Sequence, residues 1–176
     1  MKQFALAFAL LVISATTAAA DEQLVASAPP PTTLGVDGAL VVPVGDYARV
    51  ATVGIGALGH FELPTGPGFL TVRAGLVFHA ASGTNAALTL VPVYAGYRIP
   101  IGASGAYLAG ELGITEIFAS VNTQVGSMSS SDAKLGLTLG GGWKHNSLDI
   151  RAGLFAPDVN NAVGLLATVG YDFAKF

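Results

Sequence analysis

The chain of 176 residues contains no cysteine, few charged residues and no surplus of basic residues. Without cysteine it cannot form disulfides, a thiolate metal site or a lipid anchor on a cysteine side chain. Charged residues make up 11% of the chain and the formal net charge is −3, so no basic surface indicates nucleic acid. We therefore expect no nucleic-acid partner, no metal and no cofactor.

A hydrophobic run long enough for a membrane-spanning helix is also missing, although 52% of the residues are hydrophobic. Such a helix needs about 20 apolar residues. The longest uncharged stretch, residues 74–97, contains the turn sequence "SGTN" and Pro92, so it indicates two strands around a turn. The 23 glycines and nine prolines disfavour long helices. A closed β-barrel is the remaining structure that satisfies every backbone polar group inside a bilayer.

The first residues have the layout of a secretory signal peptide. Lys2 precedes an apolar run over residues 4–13, and three alanines end at Ala20, before Asp21. We predict a signal peptide over residues 1–20, cleaved after Ala20, and a flexible proline-rich lead over residues 21–32. Residues 33–176 then form one domain.

From residue 33 onwards the chain consists of about eight segments in which apolar residues alternate with small or polar ones. In "FLTVRAGLVFHA", for example, Leu70, Val72 and Leu76 share one face and Arg73 lies on the other. Most segments have roughly 9–14 residues, which suits a tilted membrane strand better than a soluble one. We predict an all-β fold, an eight-stranded antiparallel up-and-down transmembrane β-barrel.

The fourth segment, "ALTLVPVYAGYRI", is apolar on both faces, so alternation alone does not orient it. We place Tyr97 outward because Arg98 then points away from lipid. Pro92 has no backbone N–H, which predicts a local bulge or weak strand pairing.

Charged residues fall on the glycine- and threonine-rich face of nearly every segment, and the other face is almost purely apolar. A soluble sandwich or lipocalin would bury the apolar face, so here we expect that face to contact lipid and the charged face to line the lumen. The expected lumen residues are Asp37, His60, Glu62, Arg73, His79, Arg98, Glu111, Lys144, Asp149, Arg151 and Asp172. Because both charge signs are present, we predict a plugged lumen with a charge network of Arg73, Glu111, Arg151, Asp149 and Asp37.

An even number of strands places both chain ends on one side, which we expect to be the periplasm. The turns "PTGPG", "PIGASG" and "HNS" then face the periplasm, and the longest predicted loop, residues 119–132, faces outside. Tyr97, Trp143, Tyr171 and Phe173 are expected to form an aromatic girdle at the periplasmic interface.

Five segments carry a family resemblance: "ALVVPVGDY", "AYLAGELGI", "LGLTLGGGW", "SLDIRAGLF" and "VGYDF". Over about residues 33–176 the chain resembles the small eight-stranded outer-membrane β-barrel domains of Gram-negative bacteria, the OmpX, OmpW and OmpA-barrel-like family. The resemblance implies outer-membrane localisation, contact with outer-membrane lipid and recognition of the C-terminal strand by the assembly machinery. Tyr171 and Phe173 follow the strand alternation, whereas Phe176 is out of phase, and we expect residues 174–176 to emerge into the periplasm.

The expected function is a structural or surface-interaction role, with a narrow porin-like channel as the alternative. His145, Asn146 and Ser147 resemble the His-x-Ser pairing of a lipid A deacylase, but we interpret them as a tight hairpin and expect no catalytic residue. We expect His60, near Glu62, and His79 to pair with carboxylates and not to bind metal. Residues 119–132 are either a binding loop or a solvated loop without a partner.

Overall fold

The computed structural model describes residues 30–81, 86–123 and 126–176, and it folds them into a closed antiparallel barrel of eight strands, as predicted. The strands are β1 (Thr33–Val44), β2 (Ala51–Thr65), β3 (Gly68–Ala81), β4 (Ala86–Pro100), β5 (Ala106–Thr123), β6 (Gly126–His145), β7 (Leu148–Asp158) and β8 (Ala162–Lys175). One short helix, α1 (Tyr47–Val50), follows β1. Each strand pairs with the next, and β8 pairs with β1 to close the barrel. The predicted signal peptide lies outside the described residues.

Strand alternation gives the barrel wall an apolar outer face and a mixed inner face. The outer face exposes large apolar side chains, among them Ile55 at 65% and Leu112 at 53%. The inner face buries charged and hydroxyl side chains, including Arg73 at 4% and Glu111 at 2%. In β4, Val93 is exposed and Arg98 is buried, so the predicted orientation of that strand is confirmed. Across the described residues, no helix is long and apolar enough to cross a membrane.

Pro92 coincides with a gap in the pairing of β3 with β4. The two strands pair at Ala74 with Val93 and at Val77 with Leu90, and the two positions between them are unpaired. On its other side Pro92 remains in register with Thr115 of β5. Proline has no N–H to donate, and of the two strands beside β4 only β5 pairs with it without a gap at this point. The predicted weak pairing is therefore confirmed.

The prediction of a long loop over residues 119–132 was wrong. Strand β5 continues to Thr123 and β6 starts at Gly126, and the two pair in register from Phe118 with Ser131 to Thr123 with Gly126. The sequence analysis took a polar, serine-rich stretch as loop. Two strands pair through backbone hydrogen bonds, which do not depend on apolar side chains. The part of the β5–β6 hairpin that extends beyond the apolar wall can therefore be polar on both faces.

The C-terminal residues do not emerge from the barrel as expected. Gly35 of β1 lies opposite Asp172 and Leu34 lies opposite Ala174, so Phe173 is the extra residue of a β-bulge in β8. Beyond the bulge, the backbone of Phe176 exchanges two hydrogen bonds with Thr32, of 3.0 and 3.2 Å. The bulge shifts the alternation by one residue. Phe176 is therefore in the outward phase, and its side chain is 76% exposed.

Candidate functional site in the barrel lumen

The lumen has two halves of different chemistry. The half nearest the chain ends contains charged side chains from all eight strands. The half beneath α1 contains a buried apolar cluster that includes Val41, Leu90, Phe155 and Leu166. Sequence analysis predicted the charged lining but not the apolar half. Tyr94 and Phe155 follow the same two-residue alternation as the charged residues, and alternation gives the face of a strand but not the end of the barrel at which a side chain lies.

Glu111 of β5 is the centre of the first group of charges. Its Oε1 accepts a hydrogen bond of 2.8 Å from Nη1 of Arg151 and lies 3.4 Å from Nε of Arg73. Thr138 donates to Oε2 at 2.7 Å, and Thr71 donates to Oε1 at 3.1 Å. The carboxylate therefore faces two guanidinium groups and two hydroxyls, which compensate for its removal from water.

Asp37 and Asp149, the other two members of the predicted network, take different positions. Oδ2 of Asp37 lies 3.5 Å from Nη1 of Arg73, which attaches Asp37 to the Glu111 group. Asp149 instead accepts a hydrogen bond from Tyr107 and lies 3.6 Å from Nη1 of Arg98. The structure thus brings Arg73, Glu111 and Asp37 together with Arg151, and it places Asp149 in a second group.

The second group joins the first through His60. Its Nδ1 lies 3.0 Å from Oδ1 of Asp37, and its Nε2 is hydrogen-bonded to Oδ1 of Asp172 at 2.9 Å. Nζ of Lys144 lies 2.9 Å from Asp172 and 2.6 Å from Glu62. Arg98 lies 2.9 Å from Glu62 and continues to Asp149.

Ten side chains thereby form one continuous set of ion pairs, which we call the lumen network. Its members are Asp37, His60, Glu62, Arg73, Arg98, Glu111, Lys144, Asp149, Arg151 and Asp172. Sequence analysis placed all ten on the inner face but did not link the second group to the first. That link crosses from β2 over β1 to β8, and no sequence signal reports which strands become neighbours when the barrel closes.

The expected pairing of the lumen histidines with carboxylates is right for His60 and wrong for His79. His60 lies against Asp37 of β1 and, across β1, against Asp172 of β8, and not against Glu62 of its own strand. His79 has no carboxylate partner among the described residues. Its Nδ1 donates to the carbonyl of Thr52 at 2.8 Å, and its Nε2 lies 2.8 Å from the hydroxyl of Tyr47.

Tyr47 of α1 closes the apolar end of the lumen. Its ring is buried and packs at 5.4 Å from the imidazole of His79. Burial raises the pKa of the Tyr47 hydroxyl, and the neighbouring Tyr94 raises it further. The hydroxyl therefore stays protonated and donates a hydrogen bond to Nε2 of His79.

A cavity of about 10 Å³ lies at the border between the two halves, with Arg73 and Glu111 on one side and Val77 and Phe155 on the other. That volume holds about one water molecule. In the described part of the chain, no group of three or more His, Asp or Glu side chains could hold a metal ion.

The four aromatic residues predicted as a girdle lie at the end of the barrel that contains the chain termini. Tyr171 and Phe173 are exposed at 58% and 61%. Tyr97 donates its hydroxyl proton to the carbonyl of Thr65, and Trp143 donates from Nε1 to the carbonyl of Ser104 at 2.8 Å. Two of the four rings thus hold the turns at this end.

Residues 145–147 form the tight turn that the hairpin interpretation predicted. Strand β6 ends at His145, Asn146 has a left-handed φ of 55°, and β7 begins at Leu148. The ring of His145 stacks on Trp143 at 5.3 Å. The residues of the His-x-Ser pattern therefore form the turn of the hairpin that joins β6 to β7.

Three solved structures show what the barrel is similar to, all at low sequence identity. The crystal structure of Ail, the attachment invasion locus protein of Yersinia pestis, matches with a TM-score of 0.63 and 14% identity over 81% of this chain and 97% of that chain. The N-terminal β-barrel domain of Pseudomonas aeruginosa OprF matches with a TM-score of 0.56 and 8% identity over 80% and 97%. Neisserial surface protein A matches with a TM-score of 0.52 and 14% identity over 82% and 97%.

This chain has the fold of the small eight-stranded outer-membrane β-barrels. No protein-family model matches it, and no curated protein matches it. The likeness is therefore one of fold, and any role for this barrel has to be argued from its own residues.

Glu111 should be more important for stability than an exposed carboxylate on the same strand. Glu111→Gln removes the negative charge that Arg73 and Arg151 face, and breaking a buried ion pair costs about 3–5 kcal/mol. Urea unfolding of the barrel in detergent micelles measures the loss. The matched control is Glu116→Gln, whose exposed carboxylate should contribute less than about 0.5 kcal/mol. Equal destabilisation by the two changes would contradict the central position of Glu111.

Proposed function

We propose that this protein is a barrel of the Gram-negative outer membrane with a lumen closed to solutes, and that it acts by contacts at the cell surface. The observation that carries the proposal is the inverted polarity of the wall. Large apolar side chains face outward from all eight strands, while the charges are buried and paired inside. A soluble barrel would expose the charges and bury the apolar side chains.

Several features support one orientation in the membrane. Both chain ends and the turns after β2, β4 and β6 lie at the same end of the barrel, where we place the periplasm. The exposed Tyr171 and Phe173 suit the interface at that end. Phe176 extends this outward aromatic row beyond the bulge in β8, and we propose the row as the feature that the assembly machinery recognises. The signal peptide predicted over residues 1–20 supports export.

Outward and inward positions on β6 should respond differently to substitution. Leu137 faces outward, and Leu137→Arg should impair assembly by about 2–4 kcal/mol, the cost of an arginine at the bilayer midplane. The neighbouring Thr138 faces Glu111, and Thr138→Ser keeps the hydroxyl that donates to it. Migration of unboiled and boiled samples from isolated outer membranes on an SDS gel measures the folded barrel. Equal tolerance of both changes, or recovery of the wild type in the soluble periplasm, would overturn the lipid-facing assignment.

Two consecutive barriers support a closed lumen. The lumen network occupies the half nearest the chain ends with charges that already have partners, and the apolar cluster fills the other half beneath Tyr47. An ion entering from either side would have to break ion pairs or cross an apolar layer. Both barriers argue against the narrow-channel alternative.

Planar-bilayer recordings distinguish the two functions. A closed lumen predicts no stepwise conductance from the purified wild-type barrel, because the free cavity of about 10 Å³ does not connect the two ends. Reproducible unitary steps, absent from bilayers that receive the detergent buffer alone, would instead establish the narrow channel.

The β5–β6 hairpin is the best-supported contact surface. Strand β7 pairs with β6 only from Leu137 to His145, and the carbonyl of Leu135 accepts one further bond from Val159. Within the described ranges, residues 126–134 of β6 have no strand partner on that side. An open strand edge presents a row of backbone donors and acceptors, to which an extended peptide can add as a further strand.

The chemistry of the hairpin suits a polar extended peptide from another protein. A groove of about 310 Å³ lies over the face of the sheet where β4, β5 and β6 pair, and it reaches β6, whose other side is the open edge. Its lining residues are Thr89, Phe118, Ala119, Ser120, Ser129, Ser130 and Ser131. Hydroxyl groups can donate to and accept from alternate side chains of an added strand, while the backbone edge supplies most of the affinity. We therefore propose strand addition at this edge as the surface interaction.

A variant with a shortened hairpin tests this proposal without disturbing the wall. Phe118 and Ser131 are directly paired, so replacing residues 119–130 by Asn-Gly should close a two-residue hairpin between them. Peptides selected from a displayed library on the wild-type barrel in lipid nanodiscs should lose binding to this variant. Methylation of alternate peptide N–H groups should abolish binding as well.

Two outcomes would count against strand addition of a foreign peptide. The first is equal binding of the selected peptides to the wild type and the short-hairpin variant. The second is a wild-type dimer in detergent that the variant does not form, because a second copy of the chain would then be the occupant of the edge.

A further inference from the structure

We infer that His60 carries a proton on both ring nitrogens, and that the resulting cation holds the first and last strands of the barrel together. The observations are the two carboxylates that face its ring, the charge count of the lumen network and the space that two glycines leave around it. The inference goes beyond the proposed function and does not depend on it.

Both ring nitrogens of His60 face an acceptor. Nδ1 lies 3.0 Å from Oδ1 of Asp37, and Nε2 lies 2.9 Å from Oδ1 of Asp172. A neutral imidazole has one donor and one acceptor nitrogen, so it would point a lone pair at one of these carboxylates. The doubly protonated ring is a cation: its Nε2–H donates to Asp172, and its charge faces Asp37, whose Oδ1 lies 3.0 Å from Nδ1 without hydrogen-bond geometry. All three side chains are fully buried, so water cannot relieve a mismatch.

The lumen network has one more carboxylate than its lysine and arginines can balance. The network has five carboxylates, namely Asp37, Glu62, Glu111, Asp149 and Asp172, and four permanent cations, namely Arg73, Arg98, Lys144 and Arg151. A protonated His60 makes the two signs equal. His60 is well placed to supply this charge, because it lies between two carboxylates. Apart from His60, Asp37 has the cation Arg73 beside it, and Asp172 has the cation Lys144.

Two glycines make room for this arrangement. Gly35 of β1 lies between His60 of β2 and Asp172 of β8 in the same row of the sheet. A Cβ atom on Gly35 would lie 2.4 Å from Nε2 of His60, and one on Gly170 would lie 2.0 Å from Oδ1 of Asp37. The imidazole can therefore reach across β1 to the last strand only because Gly35 has no side chain.

The contact crosses the closing seam of the barrel. Asp37 belongs to β1, Asp172 belongs to β8, and His60 and Asp172 are separated by 112 positions in the chain. Every other neighbouring pair consists of strands that are consecutive in the chain, whereas β1 and β8 are the first and the last strand and meet only when the barrel closes. The His60 cation thus acts as a clamp on the one strand pair that chain connectivity does not hold.

Nitrogen NMR spectra test the protonation state directly. The chain has three histidines. In micelles, a barrel with both His79→Gln and His145→Gln shows the imidazole ¹⁵N signals of His60 alone. At neutral pH we expect both His60 nitrogens to show the shifts of a doubly protonated ring. His79 of the wild type is the internal contrast, because it donates from Nδ1 to Thr52 and should show one protonated and one bare nitrogen. The pattern of one bare nitrogen at His60 would overturn the inference.

A charge-rescue experiment tests the clamp. His60→Gln leaves Asp37 and Asp172 without their shared cation, and we expect its folding equilibrium constant in urea to fall roughly a thousandfold, as for a broken buried ion pair. His79→Gln, at a buried lumen histidine without a carboxylate partner in the described structure, should lose much less. Adding Asp172→Asn to His60→Gln removes one negative charge and should recover part of the loss.

Loss in His60→Gln no larger than in His79→Gln would overturn the clamp, and so would a double variant that is no more stable than His60→Gln alone. If His60→Gln does not fold at all, the spectrum of His60 in the barrel that lacks the other two histidines decides the question, because that protein retains the clamp.

Discussion

The pairing of buried charges is the constraint on which the rest of this barrel depends. A wall that is apolar outside must place its charged residues inside, and a charge removed from water is tolerated only with a partner of opposite sign and good hydrogen bonds. Glu111 meets this requirement with Arg73, Arg151 and two threonine hydroxyls. The same requirement extends from strand to strand, and ten side chains form one network inside the barrel as a consequence.

The glycines of the inner face are the complement of these large side chains. Gly35 admits the imidazole of His60, and Gly170 admits the carboxylate of Asp37. In an eight-stranded barrel the interior is only wide enough for its side chains, so each long residue needs a short one beside it. The many glycines of the sequence therefore have a packing role here, and the closing seam between β1 and β8 depends on it.

The outer end of the barrel follows a different rule. Beyond the apolar wall, β5 and β6 continue as a polar hairpin whose backbone hydrogen bonds are sufficient to hold it. Because β7 ends at Asp158, the edge of β6 is open over residues 126–134, the first part of the strand. The difference in strand length between β6 and β7 thus creates the surface to which we assign the proposed contact.

The sequence by itself determined the number of strands, their approximate positions and the face to which each side chain points, because two-residue alternation follows from strand geometry alone. It also placed Arg73, Glu111 and Arg151 on one face, and it marked Pro92 as a point of weak pairing. Only the tertiary structure decided that His60 faces Asp172, that Tyr47 caps the lumen, that residues 119–123 and 126–132 are strand, and that a bulge at Phe173 turns Phe176 outward. These features depend on register and on the closure of β8 onto β1, which bring together residues that are distant in the chain, and alternation carries no information about register.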